Sequence, residues 1–549
     1  MKNFSLSLLL FLSIVISAAG QTAIAKLKYE EAEEAYVKED YQNTLLKLEE
    51  AEKKFGKVNP PIVYLRVMSQ YHLLARNPHE DFKLLQSLRK NCQYYLKEYA
   101  AVSSIEDKYK EVYQIADYLE IYSHNQNFFT ARAYYYGKGV PLDYSKAKIF
   151  CEKAIAEGDH HAMNLLGIIY DNGSGVEKDF QKAMEWFQKA ADKGNVFAMI
   201  NMAREYLMGI DLPKDDVKAL SLYHQAADKG YPEAMYNLGV QYEYGGNLIQ
   251  KDYTKAMEWY QKAAIRNHSE AMFQIAFAYA TGQGVSKDNK LYIEWLIRSA
   301  KAGSTIGMYN LANSYKKGQG VEKNELKFME WMTKSAEGGY IDAMYTMGVY
   351  SEGQLQISWY EKAAEKGHFE AMIALGKIYN GSTFQDEKKS FYWYSKASVD
   401  PKFSGYNMKN LGLFYEKGMG GVSIDYAKAM DWYQKSVAKG HEGTWVSIGD
   451  LYKNGLGVKK DYAKALECYT KNIGSEIAID KIADLYWEGG PGLNQNYKLA
   501  IQYYTNAAEK GNLASIEKLI ELYEKGEVVK KNQKKADEWR LKLNELRKK

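Results

Sequence analysis

The chain has 549 residues, of which 46% are hydrophobic and 26% charged. That length excludes a single ordinary compact domain and leaves either several domains or an array. The 73 basic and 69 acidic residues give a net charge of +4, which excludes a global attraction to nucleic acid or to an anionic membrane.

Residues 1–20, MKNFSLSLLLFLSIVISAAG, have a positive start at Lys2 and an apolar run from Phe4 to Ser17. They end in small residues at Ala18, Ala19 and Gly20. This is the pattern of a secretory signal peptide, with a mature chain starting near Gln21. The run is short of the ~20 residues a membrane span needs. No Cys follows the cleavage site, so no lipid anchor is expected, and no later segment is apolar enough to cross a bilayer. The mature protein is expected in the periplasm or outside the cell, without stable membrane insertion.

Residues 21–125 form an N-terminal helical region. YEEAEEAYVKEDYQNTLLKLEEAEKKFG, at 29–56, reads as one helical hairpin with Ala32, Ala35, Tyr41, Leu48 and Ala51 near its core. Asn59, Pro60 and Pro61 punctuate it, and two or three further helices follow to about residue 124.

From about 126 the chain repeats itself. Trp259, Trp295 and Trp331 are 36 residues apart, as are Ala147, Ala183 and Ala219. Twelve units fit between 126 and 549. In unit two, Ala162, Leu166 and Tyr170 recur at helical spacing, with Met163 and Gly167 beside them. Gly173 and Gly175 break that helix. Ala183, Trp186, Phe187, Ala190 and Ala191 then mark a second apolar face, ended by Gly194. One helix pair cannot cover its own apolar face, but stacked pairs build a continuous core.

Before each second helix stands Asp143, Asp179, Asp215, Asp252, Asp288, Asn324, Asp386, Asp425, Asp461, Asn496 or Asn532. Only unit seven lacks this residue. Aspartate in every module invites a metal or catalytic reading. Its place just ahead of a helix, and its exchange for Asn, fit an N-cap instead.

The pattern running from Ala162 through Leu166, Gly167, Tyr170, Gly173, Gly175, Val176, Asp179, Lys182, Ala183, Trp186, Lys189, Ala190 and Ala191 to Gly194 resembles the Sel-one-like repeat (SLR). That family is related to the tetratricopeptide repeat, which the hairpin at 29–56 also resembles. The resemblance implies an all-α, right-handed α-solenoid and a role in protein–protein interaction, as an exported adaptor that regulates an envelope or membrane complex. The boundaries that follow are a signal peptide at 1–20, an N-terminal domain at 21–125 and units one to seven at 126–350. An irregular seam occupies 351–410, and units nine to twelve with a capping helix occupy 411–549. The seam is expected because unit seven loses its Gly-x-Gly loop, unit eight is shortened, and SVDPKFSGYN is inserted around Pro401.

A cysteine-rich branch of the family carries one disulfide per repeat and has been linked to penicillin binding. A hydrolase of cell-wall material or β-lactams is therefore the second function class. Cys151 and Cys468 instead take core aromatic positions, and with Cys92 they make an odd, scattered set of expected free thiols.

The search for chemistry finds no catalytic set. Gly282-Gln283-Gly284 and its equivalents follow helices and lack a phosphate-loop Lys. His160, His268, His368 and His441 follow the repeat-ending turns and are expected as exposed linkers. No metal, cofactor or enzymatic activity is expected, and the mature chain is expected to be a monomer.

A partner surface is expected on the first helices of units four to seven. With the repeat Ala as offset zero and about 100° per residue, offsets 0, 1, 4, 5 and 8 form the core, while offsets 2 and 6 turn away from it. Offset 2 holds Tyr236, Phe273, Tyr309 and Tyr345. Offset 6 holds Val240, Phe277 and Val349. Aromatic side chains in such a column act as anchors at binding surfaces. The plain alternative is that these rings pack between adjacent helices.

Overall fold

The computed structural model describes residues 23–55, 59–75, 81–100, 106–119, 122–123, 125–246 and 250–548. The leader expected at 1–20 lies outside them. The chain divides into two compact bodies, Met1–Trp331 and Met332–Lys549, each treated by itself. The elements are helices. Among the described residues, extended backbone pairs only in an isolated bridge between Gly490 and Leu493. The all-α solenoid expected from the periodicity is what the chain forms.

In the first body the hairpin consists of a helix at 23–37 and the helix Tyr41–Phe55. Its core is Ala32, Leu48 and Ala51, closed by Ile62 and Leu65 of the next helix, Pro60–Ala75. Tyr41 is half-buried and stacks on His72 at 4.8 Å. Helices Phe82–Glu98 and Glu106–Leu119 follow. A single apolar cluster then runs from Val63 and Tyr95 through Phe128 and Cys151 to Leu166.

The geometry of one unit explains its residues. In unit two the first helix, His160–Asn172, stops at Gly173, which sits in the left-handed region at φ 66°. The second helix is Phe180–Asp192. The two cross so closely at Gly167 that a Cβ there would lie 2.6 Å from the Phe187 ring. The same approach recurs at Gly239 on Tyr260 and at Gly412 on Tyr433.

The loop between the helices is closed by the capping Asp from both sides. The Asp179 amide donates to the Tyr170 carbonyl at 3.0 Å. Its carboxylate accepts from the Lys182 amide at 3.0 Å. Lys182 then lies 2.8 Å from that carboxylate and over the Tyr170 ring at 5.7 Å. The same set is formed by Asp215, Tyr206 and Lys218, by Asp252, Tyr242 and Lys255, and by Asp425, Tyr415 and Lys428.

Capping bonds form at every position read from the sequence, including Asn324, Asn496 and Asn532. The Asp179 carboxyl is held below its ordinary value by the Lys182 ammonium and amide. Unit seven differs as its sequence requires. Its first helix, Ile341–Tyr350, has only 10 residues, and Glu352 ahead of the second makes no side-chain cap.

All three cysteines are free and buried. Burial pushes the Cys92 thiol up to about 12 and Cys468 to about 11, and raises Cys151 as well. Thiols so held are poor nucleophiles.

Candidate partner-binding surface

Offsets 2 and 6 of the first helices line a groove in the opening units of the array. The groove encloses about 280 Å³. Phe128 and Arg132 of unit one, Asn164 and Ile168 of unit two, and Ile200 of unit three all face it. Four rings step along one wall. Phe128 and His161 are 5.6 Å apart, His161 and Phe197 5.8 Å, and Phe197 and Tyr231 4.9 Å. Along the floor, the Asn201 amide donates to Asn164 Oδ1 at 2.9 Å. Arg132 lies over the Phe128 and Tyr136 rings at one end, and Glu233 closes the other.

The wall is set by buried polar contacts. Asn195 is fully buried and caps the first helix of unit three through the Ala198 amide at 2.8 Å. Its side-chain nitrogen reaches His160 Nδ1 at 2.9 Å and His161 Nδ1 at 3.1 Å. Burial holds the His160 imidazole below its ordinary value, with Lys193 and Lys229 adding to the effect and Asp159 opposing it.

The column read from the sequence occupies a different stretch. Tyr236, Val240, Phe273, Tyr309 and Tyr345 are half-buried, while Phe277 and Val349 are exposed. Tyr236 stacks on His268 at 4.8 Å and leans on Tyr260 at 5.8 Å. In the second body, Tyr345 repeats this with His368 at 4.5 Å and Tyr360 at 5.6 Å. Phe273 packs on the cluster of Leu296 and Leu311. Each of these rings has one side in the packing between helices. Phe277 shares a hollow with Glu243, Tyr260 and Gln274.

The histidines expected as exposed linkers are not exposed. His268 accepts from the Ala271 amide through Nδ1 at 3.2 Å and faces Glu233 through Nε2 at 2.9 Å. His368 accepts from Ala371 in the same way. His441 Nδ1 contacts the Thr444 hydroxyl at 2.7 Å, and His160 is half-buried against Asn195. They stand near helix starts, and a neutral ring nitrogen can serve as the cap acceptor.

The groove of units one to four escaped the sequence reading because Asn164 and Ile200 interrupt the aromatic run at offset 2. Two of its rings, His161 and Phe197, come from offset −1 instead, and Tyr231 from offset −3. Among the described residues, no group of three His, Cys, Asp or Glu could hold a metal ion. Nor is any helix there long and apolar enough to cross a membrane.

Among solved structures, a protective antigen of uropathogenic Escherichia coli with an SLR fold is 24% identical. It matches 90% of this chain and 97% of its own, with a TM-score of 0.37. A Sel1 repeat protein from Oxalobacter formigenes is 31% identical over 44% of this chain and 97% of its own, with a TM-score of 0.36. An immunity protein from Pseudomonas aeruginosa is 21% identical over 44% and 83%, with a TM-score of 0.29. No curated protein matches the chain. The Sel1 repeat model matches at 127–159, 160–195, 196–231, 232–268, 269–304, 305–340, 341–368, 369–398, 408–441, 447–471, 477–512 and 513–539. With twelve such matches covering most of its length, the chain belongs to the Sel1 repeat family, whose members generally mediate protein–protein interaction.

Proposed function

We propose that the protein is an exported scaffold that holds a segment of a partner protein against the first-helix face of its opening units. The observation that carries this is the ring-walled groove from Phe128 to Tyr231 with the Asn164–Asn201 amide pair in its floor. Aromatic walls take apolar side chains, and paired amides offer both a donor and an acceptor to a peptide backbone. Within the first body the half-buried rings of Tyr236, Phe273 and Tyr309, with Val240 and the exposed Phe277, extend the surface as lesser anchors. In the second body, taken by itself, Tyr345 is a further lesser anchor at the same offset. Export rests on the leader at 1–20, and an envelope complex is the natural setting for the partner. No observation favours a hydrolase.

A photo-crosslinking residue placed at Ile200, and in a second variant at Phe277, should trap one partner in cells. Placed at Leu326, exposed on a second helix, it should trap none. The exported chain should have the mass of a protein beginning at Gln21. Trapping from Leu326 alone would remove the inner-face reading. Changing Tyr236, Phe273 and Tyr309 to Ser together separates anchors from packing. Weaker trapping with an unchanged melting curve means anchors; a large drop in melting temperature means packing.

A further inference from the structure

Within the first body the N-terminal hairpin reaches a much later part of the array. Glu39, in the turn after the helix at 23–37, pairs with Lys301 at 3.3 Å. Lys301 ends the second helix of unit five. Beside this pair lies a cleft of about 460 Å³. Tyr36, Tyr71 and Glu111 of the N-terminal domain line one wall. Ile265, Arg266 and Asn267, the turn between units four and five, line the other.

The backbone marks the same junction independently. Among the described residues, only two other than Gly have positive φ, Glu39 at 62° and Asn267 at 61°. Where Asn267 stands, other units have Gly, as at Gly158, Gly194, Gly230 and Gly303. A side chain in the left-handed region is disfavoured, Asn less than most. At both exceptions the side chain faces the junction: Glu39 makes the ion pair, and Asn267 lines the cleft.

The contact is nonetheless weak. The Lys301 and Glu39 side chains are 57% and 42% exposed, so their attraction is small and screened by salt. Ile265 remains 85% exposed, and the cleft stands open beside it.

We propose that the N-terminal hairpin is a reversible latch. In the closed form, seen here, it stands across the cleft from the unit four–five turn and is tied to Lys301. In the open form it has swung away, and the Glu39–Lys301 pair sets the balance. Tyr122, at the end of the same domain, packs against Phe197 in the groove wall at 6.1 Å. Movement of the hairpin, carried through the helices it packs on, is thereby passed to the partner surface. That last link rests on the proposed function; the latch does not.

Spin labels at Val37→Cys and Glu294→Cys, both exposed, report the distance in the full chain, since the three native thiols are buried. At low salt the wild-type background should give one short-distance population. Lys301→Glu, or Ile265→Glu opposite Glu111, should raise a longer-distance population several-fold. The exchange E39K/K301E should restore the short one. One unchanged distribution across these variants and from low to high salt would overturn the latch. If the latch responds but partner trapping at Ile200 does not follow it, only the link to the groove fails.

Discussion

Asp252 carries, in one side chain, the answer to why this sequence repeats its acids. Its carboxylate accepts from the Lys255 amide at 3.0 Å, and its own amide donates to the Tyr242 carbonyl at 2.8 Å. Asp252→Ala should lower stability by about 1 kcal/mol, and Asp252→Asn by much less. Thermal melts of both variants, with and without a chelator, check this. A chelator effect as large as that of the Ala change would restore the metal reading. These caps were legible because Asp and Asn recur at one spacing.

The caps on the first helices were not legible, because that position holds Asp159, Asn195, Tyr231, His268 and Ser304 in turn. His160, packed against one of them, gives a prediction about pH. Its folded value is depressed by burial, and its Nδ1 accepts from the Asn195 amide. The fold therefore favours the neutral ring. Its contribution to stability is present above the ordinary value of 6.5 and is lost as pH falls from there toward the folded value. Melting temperature should fall between about pH 7 and about pH 5.5, and His160→Gln should flatten that slope. An equal slope in the variant would exclude His160 as the cause.

At the scale of the element, the departures from the repeat predict where the array yields. Unit seven lacks its side-chain cap, and the insertion after unit eight lengthens the connection between two neighbours of the kind whose contacts hold a solenoid together. The structure adds an anchor that the sequence did not reveal. Phe403 is buried in a cluster with Tyr394, Leu411 and Phe414, whereas Val399 is 87% exposed. Limited proteolysis should therefore cut first within 399–402, ahead of the buried ring. First cleavage elsewhere, with this stretch protected, would count against a seam here. The insertion itself was legible from its Pro and Gly. The anchor was not, because a single Phe in an irregular stretch has no period to betray which way it faces.

At the scale of the whole molecule, the array was legible because most units write the same contacts at nearly the same spacing. The compact bodies divide at Trp331 and Met332, ahead of the irregular stretch at 351–410, and no change of motif marks the point. The groove of units one to four was not read from the sequence: its rings at His161, Phe197 and Tyr231 stand at offsets other than 2 and 6, and Asn164 and Ile200 replace the aromatic residue at offset 2.

The contact between Glu39 and Lys301 was invisible, since it occurs once and joins residues with no common pattern. It also has a consequence in time. The caps and ring contacts within the array join one unit to itself or to the next, so the array can settle as its units appear, one against the last. The Glu39–Lys301 bridge has to wait for unit five. A chain made from its amino end therefore has four complete repeats, with the hairpin already packed on the helix Pro60–Ala75, before this ion pair can form.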